Sequence, residues 1–148
     1  MPRDLDCITA LWITLMEHHA SRDPVFALRP DADVEARRWV GAILRDPNAA
    51  VFVWDSDTGP AGFCAVRIDR APKILVETDR AEITDLLVRD AERRHGVGRA
   101  LVERALRWVV ERGVECCEVR VAARNTEGQG FWRSQEFGAW MDVLERRL

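Results

Sequence analysis

The stretch from Ala81 to Gly113 constrains this chain more than any other, because a strand, a basic glycine loop and a long helix follow one another directly. Ala81 to Val88 reads as a strand with Ile83, Leu86 and Val88 as its apolar members. Arg93, Arg94, His95, Gly96 and Gly98 come next. Val97, Leu101, Ala105, Trp108 and Val109 then mark one face of a helix that Gly113 terminates, while Arg99, Glu103 and Arg107 form a charged ladder on its surface. The first amides of a helix lack internal partners and carry the positive end of its dipole, so this junction is suited to a phosphate. Gly96 and Gly98 let the backbone approach such an anion and adopt unusual dihedrals. A chain that passes from strand to helix this way belongs to the mixed α/β (α+β) class.

The remaining elements agree with that class. Ile8, Leu11, Trp12, Leu15 and Met16 recur at helical spacing, which predicts a first helix from Leu5 to Ala20. A second helix is expected from Val34 to Leu44, opened by Asp31 or Asp33 and stopped before Pro47. Ala50–Trp54 and Ala61–Ile68 read as a hairpin around a polar turn, and Asp69–Asp79 as an exposed loop. Cys116–Ala122 reads as a strand, Glu127–Ser134 as a short helix and Trp140–Leu144 as a last strand. The 148 residues suit one domain, taken as residues 1–148.

Composition removes several classes of function. A net charge of -3 excludes a polycation, so nucleic acid is not an expected partner. The sequence contains neither a signal peptide nor an apolar run long enough to span a bilayer, which leads us to expect a cytoplasmic protein with no membrane partner. Cys7, Cys64, Cys116 and Cys117 fit neither a redox pair nor a zinc site; they read as reduced thiols, and no metal is expected. Adjacent His18 and His19 point apart on a helix and do not make a metal site either. Six tryptophans accompany no tyrosine, so no step can use a phenol.

The glycine loop by itself could be a plain tight turn. It lacks the third glycine of a dinucleotide fingerprint and the Gly-Lys-Ser/Thr of a P-loop. The whole arrangement, however, resembles the GNAT superfamily of Gcn5-related N-acetyltransferases. The signature Arg/Gln-x-x-Gly-x-Gly/Ala is met by Arg93-Arg94-His95-Gly96-Val97-Gly98, a preceding Leu-x-Val by Leu86-Leu87-Val88, and a downstream Asn with an aromatic pair by Asn125 and Phe131-Trp132.

This resemblance implies a GNAT fold and acetyl-CoA as co-substrate. The backbone of Arg94, His95, Gly96, Val97, Gly98 and Arg99 would hold the pyrophosphate, with Arg93 opening the motif. Leu86, Leu87 and Val88 would pair with the pantetheine arm as an added strand, and Asn125 would bond it from the neighbouring strand end. The family's tyrosine is replaced by Trp132, whose indole cannot protonate a thiolate; Trp132 is expected to pack on the pantetheine arm instead. Family members open with a short strand that has no counterpart here, because only Met1–Asp4 precede the first helix.

Transfer to an amine needs a base. Glu82, on the third strand, is the first candidate and Asp85 the second; strict alternation would put Glu82, Thr84, Leu86 and Val88 on one face and Ile83, Asp85 and Leu87 on the other. A solvated, structural Glu82 is the competing reading. The expected activity is N-acetyl transfer to a primary amine of a small molecule or peptide, by direct transfer in a ternary complex. A CoA-binding regulatory domain without catalysis is the alternative. A homodimer is expected, with the last strand available to pair across it.

Overall fold

The computed structural model describes residues 2–76 and 79–148. Glu77 and Thr78, in the expected exposed loop, and Met1 lie outside the described residues. Helix α1 spans Pro2–Arg22 and α2 spans Ala32–Arg45, joined by a short 3-10 turn at Pro24–Phe26. Strands β1 (Ala49–Ser56), β2 (Gly59–Asp69) and β3 (Arg80–Val88) follow, then α3 (Val97–Glu111), β4 (Cys117–Val119) and α4 (Thr126–Ser134). Proline in the first turn of α1 costs no hydrogen bond, which lets the helix start three residues ahead of the expected Leu5. Among the described residues no strand precedes α1.

The sheet order is β1-β2-β3-β4, antiparallel through β3 and parallel between β3 and β4, with α3 as the crossover. Each sheet face buries its own helices. On one face Leu11 and Leu15 of α1 pack on Phe63, Ala65 and Leu87. On the other, Val97, Leu101, Ala105 and Val109 of α3 and Trp132 of α4 pack on Cys64, Val66, Ile68, Ala81 and Ile83. Leu11 and Ala105, both fully buried, are the centres of these two contacts. Truncating Leu11 to alanine is expected to cost about 2–5 kcal/mol.

Two expectations are corrected. Trp140–Leu144 forms no strand: the segment has no ladder partner, and Trp140, Met141, Val143 and Leu144 are 64–92% exposed. Its apolar composition signals a strand only where a neighbour completes the hydrogen bonds, and within this chain Trp140 meets Arg80 through its ring instead. The second correction concerns β3. Ala65 pairs with Asp85 but Val66 pairs with Ile83, so Thr84 is the extra residue of a β-bulge. Ala81 and Ile83 face α3, and beyond the bulge so do Leu86 and Val88. Glu82 and Asp85 therefore share the α1 face, where strict alternation would have separated them.

Candidate active site

β3 and β4 separate immediately above the bulge. Their ladder consists of Ala81–Cys117, Glu82–Glu118 and Ile83–Val119, so Thr84–Val88 runs on past the last β4 partner. Beyond that rung the end of β3 lies beside the loop leading to α3, with Val88 near Gly98 and Phe131, and Arg93 reaching from the loop to Val88 and to Glu127 of α4.

The loop is set by two residues in the left-handed region, Arg94 at φ 64° and Gly96 at φ 79°. Gly96 is the N-cap of α3, and its side-chain-free geometry is required by the dihedral, since nothing lies within 4 Å of a Cβ placed there. Gly98 has a different reason: a Cβ would stand 3.3 Å from the Phe131 ring and 3.6 Å from Val88. The loop thus presents the first amides of α3 beside Phe131 and the end of β3. Alternating handedness along a loop turns successive N–H groups into one concavity, an arrangement that binds anions. Val97 is buried in the core, so only its backbone serves the opening.

Charged side chains tie the rim together. The Arg93 Nε–H donates to the Val88 carbonyl at 3.0 Å, and Arg93 also pairs with Asp90 at 3.2 Å and Glu127 at 3.9 Å. Arg22, at the end of α1, reaches the Asn125 side chain and Glu127, each at 3.2 Å. Asn125 caps α4 by accepting from the Gly128 N–H at 3.0 Å. A Cβ at residue 128 would lie 2.5 Å from that amide, so glycine there makes the cap possible. Arg99 pairs with Glu103 at 2.8 Å on the exposed surface of α3, and His95 is exposed beside it.

On the α1 face stand the two carboxylates. Glu82 is 7% exposed, and its oxygens hold Arg67 at 2.8 Å and Arg120 at 3.5 Å. Asp85 accepts from the Trp12 indole N–H at 3.0 Å. Burial pushes the Asp85 carboxyl above its ordinary value, against hydrogen bonds from Thr84 and Trp12 and the field of His19, while Glu82 adds to the rise. Burial lowers His19, whose ring stacks on Phe26 at 5.4 Å. Asp85 is thus a partly desolvated carboxylate against α1, on β3 beyond its last β4 rung, and Glu82 a carboxylate already spent on two guanidiniums.

The sequence-expected residues separate into three groups. Val88 and Gly98 meet beside Phe131, Leu86 packs on the same core cluster, and Gly96 caps the helix next to them. Trp132 is 9% exposed and stacks edge-on between Phe131 and Phe137, at 5.1 and 5.2 Å. Leu87 faces α1 in the second core. What sequence reasoning missed is the bulge, together with the Trp12–Asp85 contact that it makes possible. One signal for it exists: the buried positions 81 and 83 change parity at 86 and 88.

Among the described residues no helix is long and apolar enough to cross a membrane, and no group of three His, Cys, Asp or Glu is placed to hold a metal. Solved structures share this fold. The BH1408 protein of Bacillus halodurans, as a tetramutant, superposes with a TM-score of 0.84 at 17% identity, over 99% of this chain and 95% of that one. The aminoglycoside N-acetyltransferase AAC(6')-Iy in complex with CoA gives 0.80 at 18% identity, over 99% and 90%. An aminoglycoside acetyltransferase, meta-AAC0020, from an uncultured soil metagenomic sample gives 0.72 at 22%, over 99% and 90%. No curated protein matches the sequence. A family model for the acetyltransferase (GNAT) family matches residues 12–137, the span that holds the bulged strand, the glycine loop, α3 and α4, and the chain belongs to that family.

Proposed function

We propose that this chain is an acetyl-CoA-dependent N-acetyltransferase that moves the acetyl group directly to a primary amine. The observation that carries the reading is the bulge at Thr84, which follows the last β3–β4 rung and turns Asp85 to the same face as Glu82, on β3 beyond its β4 partner. The residues present fit the co-substrate. The concavity from Arg94 to Arg99 suits the pyrophosphate, and the unladdered edge of Thr84–Val88 suits an amide-bearing arm. Acetyl-CoA would supply an activated thioester; the C–N bond forms as the C–S bond breaks, and the departing thiolate takes up the second proton released by the amine nitrogen to give the CoA thiol.

The chain's own residues manage the amine. Asp85 takes one ammonium proton, which exposes the nitrogen lone pair, and the Trp12 indole fixes the carboxylate oxygen that does so. The raised Asp85 carboxyl brings it nearer the amine's affinity for a proton than an exposed aspartate would be. Glu82, the other candidate base, holds Arg67 and Arg120 in place. No acid is needed at Trp132, because a thiol near the usual cysteine range is a competent leaving group. Burial pushes the Cys64 thiol up strongly, Cys117 up to about 12, and Cys7 upward as well, which disfavours these three as the nucleophile of an acetyl-enzyme. The reading includes a cytoplasmic homodimer, with the exposed apolar residues of Trp140–Leu144 as the surface to be covered.

The test is acetylated-amine formation, followed by mass spectrometry, across a panel of primary amines. Transfer to at least one amine is expected, with no stable acetylated protein when the amine is omitted. A stoichiometric acetyl adduct on the protein would overturn direct transfer. Acetyl-CoA binding with no transfer to any amine would favour the second reading, a CoA-binding regulatory domain, which the lack of a phenol at Trp132 motivates.

A further inference from the structure

We infer that Arg120 recognises an anionic group on the acceptor, and that the acceptor is a primary amine bearing a neighbouring carboxylate, as in an α-amino acid. This rests on the acetyltransferase reading and names its substrate class.

Arg67, Glu82 and Glu118 stand side by side on three adjacent strands, with Glu82 the buried member. A buried carboxylate with a guanidinium on each oxygen fixes the position of both arginines. The two arginines differ in what they have left to offer. Arg67 is shared between Glu82 and Asp69, the latter at 3.8 Å, and its side chain is 44% exposed. Arg120 meets Glu82 through Nε at 3.5 Å and is 70% exposed, so that contact spends one of its five N–H donors.

Location then selects the role. Arg120 follows Val119, whose partner Ile83 is the last rung of the β3–β4 ladder. In register it therefore falls opposite Thr84, one residue before Asp85 on β3. An amine held at Asp85 would have its substituents within the field of a guanidinium anchored at Glu82. A carboxylate there gains a charge-assisted pair, whereas a second ammonium group meets a like charge.

The experiment compares L-amino acids with their carboxamides and decarboxylated amines, and with one aminoglycoside, by kcat/KM for acetylated product. The wild type is expected to prefer the carboxylate-bearing member of each set by about tenfold or more. Arg120→Gln should collapse that ratio toward one, mainly through KM for the amino acid, and Arg120→Lys should restore part of it. The wild-type ratio decides the matter even if a variant does not fold. Equal or better transfer to the carboxamides, the decarboxylated amines or the aminoglycoside overturns the carboxylate subsite and leaves the acetyltransferase reading standing. So does an unchanged ratio in folded Arg120→Gln. Absence of transfer to every amine defeats both.

Discussion

Below the bulge, residues Arg80–Ile83 of β3 are laddered to β2 and Ala81–Ile83 also to β4, and their charges are paired: Arg80 with Glu118, Glu82 with Arg67 and Arg120. Above it, Asp85–Val88 keeps β2 but runs past β4, and its one carboxylate is held by a neutral indole rather than a guanidinium. Glu82 and Asp85 lie three residues apart on one face, yet the first is fixed by full charge pairing and the second stays poised by burial. The lower half is a frame and the upper half a working edge. A bulge is a compact way to divide one strand between those duties, since it reorients side chains and loosens pairing together.

The largest expected effect breaks the upper half. Asp85→Asn keeps an oxygen for Trp12 but removes the proton acceptor, and kcat should fall about 10²- to 10⁴-fold in steady-state assays. The same change should raise thermal stability at neutral pH. A carboxyl whose folded pKa lies above its unfolded value contributes stability only at low pH and loses it as pH rises through the folded value. The Tm advantage of the variant should therefore shrink as pH falls toward about 4. In the wild type, activity should decline on acidification beginning above the ordinary aspartate range. A wild-type pH profile flat down to pH 4 would remove Asp85 from the proton path.

Next in size, Gly96→Val forces a branched side chain into φ 79° and should cost about 1–2 kcal/mol while raising KM for acetyl-CoA by about tenfold or more. Denaturant melts and initial rates check the two parts separately. Glu82→Gln sharpens the comparison from the frame side. Because Arg67 and Arg120 are partly exposed, the loss should be about 1–2 kcal/mol, below that of a fully buried pair, with kcat within about tenfold of wild type. A kcat loss matching that of Asp85→Asn would exchange the roles of the two carboxylates. The smallest effect is expected from Trp132→Tyr. That variant places the family's phenol in a core position, and kcat should stay within about threefold because the ring is enclosed by Phe131 and Phe137.

Much of this was readable from residue order. The helical periodicity of Leu11 and Leu15 and of Leu101, Ala105 and Val109 located both core-facing helices, because burying an apolar stripe is a local decision. Gly96 and Gly98 located the loop, since dihedral and clearance needs select glycine. Strand register is different: it is settled between chains of atoms far apart in sequence, and Thr84 looks like any other strand residue until Val66 is seen opposite Ile83. The same reason defeated Trp140–Leu144, whose composition suits a strand but whose neighbour is missing from this chain's sheet. Asn125 matched the motif, while its use as the cap of α4 depended on Gly128 three residues later.

The Trp12–Asp85 hydrogen bond also gives the protein an optical readout of its own chemistry. With no tyrosine in the chain, near-ultraviolet emission comes from six indoles alone. One of them donates to the carboxylate that is to gain and lose a proton. Emission that titrates with Asp85, and that stops titrating in Asp85→Asn, would report proton occupancy of the site in real time without any label.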